Sequence, residues 1–110
     1  KQNRLTRKDF FIVYKESFRI RSGPLQLLCR KTEREKTRFG FVVPLSVSKK
    51  AVVRNKLRRQ LQEIVRHSIP SPFSGYDCVI RAYPGAEKLE FEEIQNHIKV
   101  LMGKVLKHES

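Results

Sequence analysis

Hydrophobic positions change their spacing along the chain, and the first stretch follows the period of a helix. Phe10, Val13 and Tyr14 recur three and four residues apart behind Thr6, an N-cap residue followed three positions later by an acidic side chain. This pattern predicts a first helix over residues 7–16.

The next stretches have the patterns of strands. Residues 39–47 place large apolar side chains at every second position, and Pro44, which has no N–H to donate, requires a sheet edge or a bulge there. Shorter apolar runs at 25–29 and 76–83 predict two further strands. The charged segment 30–38 suits a solvated hairpin connection between the first two strands.

Two longer amphipathic helices complete the predicted elements. One covers residues 50–67 and the other residues 90–107, each with an apolar stripe at helical spacing. The order α-β-β-α-β-α predicts an α+β fold with helices packed on a small sheet. No internal repeat or domain boundary is visible, so we expect one domain over residues 1–110.

Positive charge dominates the composition and is unevenly placed. The chain has 110 residues with 24 Lys and Arg against 11 Asp and Glu, a net charge of +13. Residues 67–110 hold 5 basic and 6 acidic side chains, so the excess lies in the first two-thirds. The excess cationic side chains repel one another, and an anionic partner, either a nucleic acid or a membrane surface, relieves that repulsion. No apolar run approaches the roughly 18 residues that span a bilayer, so we expect a cytoplasmic protein without membrane contact.

The start of the predicted helix over residues 50–67 concentrates cations around one amide. Cations at a helix N-terminus oppose the macrodipole, yet the free N–H groups there bind phosphate. Asn55 adds a donor and an acceptor for a phosphate, a 2′-hydroxyl or a base edge. A solvated basic face, with Asn55 in a local turn bond, is the alternative, and the net charge favours nucleic-acid contact. The candidate residues are Lys49, Lys50, Arg54, Asn55, Lys56, Arg58 and Arg59.

The first helix and the segment after it interleave aromatic rings with positive charge. Rings that stack unpaired bases, beside cations that hold the backbone, are typical of single-stranded RNA recognition. Most of these rings must fill the core, because the chain has no Trp and few other large residues. We expect Phe10 and Tyr14 to line an exposed groove.

Protein-based catalysis has little support in the sequence. The three His and two Cys residues have no zinc-type spacing, and no Gly-rich phosphate loop is present. We therefore predict no catalytic residue and no metal held by the protein itself. Cys29 and Cys78 each lie in an apolar strand-like run, which favours buried reduced thiols over a disulfide.

Two segments carry a resemblance to a known family. Residues 39–43 (FGFVV) and 48–59 (SKKAVVRNKLRR), with an Arg-Asn pair at the start of a basic helix, resemble the protein subunit of bacterial ribonuclease P. Shorter matches follow in the family's order at Asp9-Phe10, Tyr76-Asp77 and Phe91-Glu92-Glu93. The resemblance implies a fold similar to the second domain of ribosomal protein S5, with an uncommon left-handed β-α-β crossover.

The resemblance also implies a role and its partners. In that family a catalytic RNA, with magnesium ions held mainly by the RNA, removes the 5′ leader of precursor tRNA, and the isolated protein is not catalytic. The protein binds this RNA and holds the single-stranded leader between its first helix and the sheet. Carried over, the candidate residues of the second helix would contact the catalytic RNA, and Phe10, Tyr14 and Arg4 would contact the leader. No DNA partner is expected.

Two of the chain's departures from the family's pattern replace basic positions. Pro44-Leu45-Ser46 stands where the family commonly has Ser-Lys-Lys, and Tyr83 stands where an Arg is common near the end of the later strand, with Arg81 two residues earlier. A ribosomal or general RNA-binding protein of similar fold, without a role in cleavage, is the alternative that charge alone supports. A small metal-dependent nuclease is a third hypothesis.

Overall fold

The computed structural model describes residues 5–68 and 75–109, which form three α-helices, four strands and one 3-10 turn. In chain order these are α1 (Arg7–Glu16), β1 (Phe18–Ser22), β2 (Leu25–Lys31), β3 (Arg38–Val42), α2 (Ala51–Ser68), β4 (Tyr76–Ala82), the 3-10 turn (Ala86–Lys88) and α3 (Phe91–Glu109). The α+β class is confirmed, and each predicted helix is present to within two residues at either end. The predicted cap of α1 is also confirmed, because the Thr6 hydroxyl accepts the N–H of Asp9 while the Asp9 carboxylate accepts the N–H of Thr6.

The four strands form one sheet in the order β1-β2-β4-β3. The β1–β2 and β2–β4 pairs are antiparallel, and β3 is parallel to β4. Because α2 joins the parallel strands β3 and β4, these three elements form a β-α-β unit. The handedness of that crossover and the likeness to the ribosomal domain stay predictions.

One strand was missed in the predicted order, and one connection was wrong. Residues 18–22 form β1, a strand that is absent from the predicted order. The hairpin joins β1 to β2 through Gly23, whose φ of +55° suits glycine. Residues 30–38 do not form a hairpin, because β4 lies between β2 and β3.

The strand predicted over residues 39–47 stops at Val42, before Pro44. It lies at the edge of the sheet, which is one of the two positions that the proline allows. The alternation continues beyond the strand because Val43 and Val47 are still buried in the core. The N–H of Val47 donates to the carbonyl of Pro44 at 3.0 Å, so a turn carries the second of these valines inward.

The sheet separates a large core from a small one. One face packs against α2 and α3, and the apolar cluster there includes Leu27, Leu61, Ile80, Ile98 and Leu101. The other face carries α1, where the buried cluster consists of Val13, Leu28 and Val79, edged by Leu5, Phe10, Tyr14 and Val42. The first helix therefore docks through a narrow apolar patch and leaves much of its face of the sheet uncovered.

The two cysteines lie opposite each other on β2 and β4, inside the large core. Both are buried and free, as predicted, with 3.1 Å between their Sγ atoms. Burial, together with the neighbouring Cys29 thiol, raises the pKa of Cys78 well above its usual range. Both positions therefore act as small core hydrophobes at neutral pH.

Within the described residues, no helix is both long enough and apolar enough to cross a bilayer.

Candidate nucleic-acid interface

The contact between α1 and β3 depends on a glycine. A Cβ added to Gly40 would lie 2.3 Å from Cζ of Phe10 and 3.1 Å from Cδ1 of Leu5. Real side chains do not approach this closely, so the Phe10 ring occupies the place of the missing side chain. This contact seats the N-terminal half of α1 directly on the strand.

Ion pairs hold one flank of α1 to the sheet. The Arg38 guanidinium makes a bidentate pair with Asp77, with Nε–Oδ1 3.0 Å and Nη2–Oδ2 2.9 Å, and its Nη1 lies 3.1 Å from Oδ2 of Asp9. At the other end of the helix, Glu16 pairs with Arg30 of β2 at 3.2 Å. These contacts neutralise the cations on this side of the helix.

The electrostatics of the paired flank follow from these contacts. The N–H of Thr6 lowers the pKa of Asp9, and the Thr6 hydroxyl and Arg38 act in the same direction. Hydrogen bonds to Asp77 raise the pKa of Arg38, so this guanidinium stays charged. Asp77 is the buried charged residue of the described core, and its carboxylate also accepts from Arg34 at 3.1 Å.

The opposite flank of α1 is open and cationic. One row of the sheet register crosses all four strands there, through Arg21, Gln26, Arg81 and Val42. Their side chains point to the α1 face, because the alternate residues of the same strands pack into the large core. Neither Arg21 nor Arg81 has a carboxylate partner among residues 5–68 and 75–109.

Tyr83 organises the cations of this open groove. The guanidinium carbon of Arg21 lies 3.9 Å from the centroid of its ring, and that of Arg81 lies 5.3 Å away. The Tyr83 hydroxyl donates to Oε1 of Gln26 at 2.9 Å. An aromatic face, two guanidinium groups and an amide thus meet in one place, which suits a stacked base and its phosphates.

The groove's other wall is α1, which carries the predicted leader-contacting rings. Phe10 and Tyr14 are four residues apart on the flank opposite Asp9, half-buried at the edge of the small core. The ring exposed most on this helix is that of Phe11, at 64%. Arg19 donates to the carbonyl of Tyr14 at 2.8 Å and ties the end of α1 to β1. Arg4 lies outside the described residues.

The basic start of α2 forms a second candidate surface, on the other side of the sheet from α1. Arg54 is half-buried and donates to the carbonyl of Ser48 at 2.9 Å, whereas Arg58 donates to Oδ1 of Asn55 at 2.8 Å. Asn55 therefore bonds to a side chain one turn further along the helix, and this bond orients Arg58. No acidic residue lies in the first turn of the helix. The exposed members of the cluster are Lys49, Lys50, Asn55, Lys56 and Arg59.

Five of the seven candidate residues lie in the first half of α2, and the other two, Lys49 and Lys50, immediately precede it. The structure adds Gln26, Arg81 and Tyr83 to the groove. Sequence reasoning did not place Arg21 beside these three residues. The period-two pattern Phe18-Arg19-Ile20-Arg21 is the signal that would have assigned a strand with its arginines on one face.

Comparison with known proteins gives a consistent result. The family model described as Ribonuclease P matches residues 1–106. A ribonuclease P protein component of Pseudanabaena sp. is 35% identical over 105 residues, covering 94% of this chain and 90% of that protein. One from Microcystis aeruginosa is 33% identical over 102 residues, covering 89% of this chain and 85% of that protein.

Solved structures agree with these sequence matches. The Thermotoga maritima ribonuclease P protein superposes with a TM-score of 0.81 at 28% identity, covering 92% of this chain and 96% of that one. The Staphylococcus aureus ribonuclease P protein supports the same fold, with a TM-score of 0.84 at 23% identity over 96% of both chains. The chain therefore belongs to the ribonuclease P protein family.

Proposed function

We propose that this chain is the protein component of a bacterial ribonuclease P, which acts in tRNA 5′ processing by binding the catalytic RNA and the 5′ leader of precursor tRNA. Membership of the family supports the role in tRNA processing. The observation that carries the finer assignment is the segregation of charge around α1. Carboxylates pair with the cations of one flank, whereas Arg21 and Arg81 on the other flank contact Tyr83 and have no carboxylate partner among the described residues.

The open groove is the proposed leader site. A single-stranded leader offers unpaired bases and a phosphate at every step, so it needs stacking faces beside cations. Tyr83 with Arg21 and Arg81 supplies both on the sheet, while Phe10 and Tyr14 form the helical wall. Gln26 supplies an amide that can bond to a base edge.

The start of α2 is the proposed site for the catalytic RNA. Its exposed cations add to the positive end of the helix dipole, which is favourable only next to an anion. Arg58 is preorganised by Asn55, and Arg54 by the Ser48 carbonyl, so these two present oriented rather than freely rotating donors. Because α1 and α2 pack on opposite faces of the sheet, the protein is able to hold two RNA segments at once.

Catalysis in this proposal belongs to the RNA partner, and the expected metal is magnesium. Within residues 5–68 and 75–109, no group of three or more His, Cys, Asp or Glu side chains is placed to hold a metal ion. In this proposal the RNA holds the magnesium ions. The proposed partners, catalytic RNA and precursor tRNA, imply a cytoplasmic location without membrane or DNA contact.

Reconstitution with a bacterial ribonuclease P RNA at low magnesium tests the proposal. The complete particle should bind and cleave leader-bearing precursor better than the RNA alone, and it should prefer that precursor to mature tRNA. Arg81→Ala should reduce this preference, and Arg59→Ala should weaken binding of the catalytic RNA. Lys99→Ala, which removes the same charge from an exposed position on α3, is the matched control.

Three outcomes distinguish the hypotheses. Equal affinity for precursor and mature tRNA would identify a general RNA-binding protein of this fold. Cleavage by the protein without RNA, abolished when one carboxylate is removed, would identify a metal-dependent nuclease. Neither a rate nor an affinity effect of the protein would refute the proposed function.

A further inference from the structure

We infer that Arg38 is a positioning residue for leader recognition: by joining Asp77 of β4 to Asp9 of α1, it sets the separation between α1 and the sheet, and therefore the width of the open groove. The inference rests on the proposed function. None of the three residues lies in the groove, because all belong to the opposite flank of the helix.

The apolar contact under α1 lies at the centre of the helix and on its groove side. Val13 is the buried residue of this helix, and the Phe10 ring on Gly40 adds a contact on the side of the groove. The tilt of the helix therefore also depends on what holds its opposite flank. The exposed pair Glu16–Arg30, at 62% and 31% exposure, adds little constraint at the C-terminal end.

The Arg38 junction holds this opposite flank at the N-terminal end of the helix. Its guanidinium is 13% exposed and uses Nε and Nη2 on Asp77 and Nη1 on Asp9. Asp77 is 3% exposed and also accepts from Arg34, so the anchor in the sheet cannot rotate freely. A planar, three-point arrangement of this kind is beyond the reach of a lysine ammonium.

The Asp9 carboxylate both caps the start of α1 and holds the helix to the sheet. Oδ2 of Asp9 accepts from the N–H of Thr6 at 2.9 Å and from its hydroxyl at 2.8 Å while it pairs with Arg38. Buried ion pairs contribute little net stability compared with apolar packing, and their best-attested value is in specifying one geometry. The junction therefore defines where α1 begins and how it lies over the groove.

The test uses Arg38→Lys and Asp9→Asn in the particle reconstituted with catalytic RNA. Arg38→Lys keeps the charge but loses the planar guanidinium that bonds to both carboxylates. Asp9→Asn keeps an oxygen that can accept from Thr6 but removes the partner of Arg38. Glu63→Gln on α2 is the matched control, because it also removes one carboxylate charge from an arginine pair, here with Arg66.

The readout is the ratio of affinities for leader-bearing precursor and leaderless tRNA. Both variants should lower this ratio about threefold to thirtyfold, while their affinity for the catalytic RNA alone is unchanged and their thermal midpoint stays above the assay temperature. The control should match the wild type. Since Asp9→Asn raises the net charge, a merely electrostatic effect would strengthen RNA binding instead.

The contradicting results are equally specific. A wild-type ratio in either folded variant would overturn the inference and leave the proposed function intact. Equal losses of leader and catalytic-RNA affinity would also overturn it, because they indicate a purely structural role. If Arg38→Lys does not fold, Asp9→Asn decides, since Asp9 lies at the partly exposed helix start. A wild-type particle without any leader preference would instead refute the proposed function.

Discussion

Replacement of Gly40 by alanine tests how α1 is seated on the sheet. The new Cβ would lie 2.3 Å from Cζ and 2.7 Å from Cε1 of the Phe10 ring, so the ring must move. Gly40 is not among the described glycines with positive φ, and alanine can therefore adopt its backbone conformation. The expected effect is a steric one, free of backbone strain.

The magnitude follows from two opposing terms. Overpacking of this kind costs about 1–3 kcal/mol. Alanine also restricts the conformations of the unfolded chain, which offsets about 0.4–1 kcal/mol of this loss of stability. The net destabilisation should be about 0.5–2 kcal/mol, which for a domain of this size lowers the thermal midpoint by roughly 2–8 °C.

Thermal and urea unfolding of the purified protein measure this effect. Gly103→Ala is the matched control, because that glycine is in α3 and a Cβ added to it would meet nothing within 4 Å. Improved helix propensity should make the control more stable by about 0.5–1 kcal/mol. Combining Gly40→Ala with Phe10→Leu, which removes the clashing ring edge, should cost less than the sum of the single changes. A Gly40→Ala protein as stable as the wild type would refute the proposed docking of α1.

Three further predictions concern charge and pH. Arg59→Ala should reduce the salt dependence of catalytic-RNA binding by about one phosphate contact; an unchanged slope in a salt titration would remove Arg59 from the interface. The pKa of Cys78 is raised in the folded state, so above about pH 8.5 only the unfolded chain ionises this thiol. Stability should therefore fall as the pH rises beyond that value, and urea unfolding of Cys78→Ala should lose this dependence. The lowered pKa of Asp9 stabilises the folded state above about pH 4, and this contribution should disappear as acid protonates the carboxylate; a pH series of unfolding curves identical for wild type and Asp9→Asn would contradict it.

Helices were predictable because their signals are local. The cap at Thr6 and the stripe around Val13 define α1 without reference to any other element. The strand β1 was missed because it has five residues and follows α1 after a single residue, with Phe18 in register with the helix's apolar face. Its period-two pattern covers only a few residues, and it is the pairing with β2 that establishes the segment as a strand.

The two candidate surfaces also differ in how far the sequence alone predicts them. The cations of α2 lie within eleven consecutive residues, so their spacing alone predicted a shared surface. The groove combines Arg21, Gln26 and Arg81 from three strands, and only the sheet register aligns them in one row. Tyr83 stands out in the sequence as a departure from the family's pattern, but its role as the ring beneath two guanidinium groups required the structure.

Site-specific photocrosslinking in the reconstituted particle tests the two-sided arrangement most directly. A photoreactive amino acid at position 83, in the groove, and one at position 59, on α2, would each be activated with leader-labelled precursor tRNA bound. The account predicts that position 83 crosslinks to leader nucleotides and position 59 crosslinks to the catalytic RNA. Crosslinking of both positions to the same RNA, or of position 83 to mature tRNA alone, would contradict it.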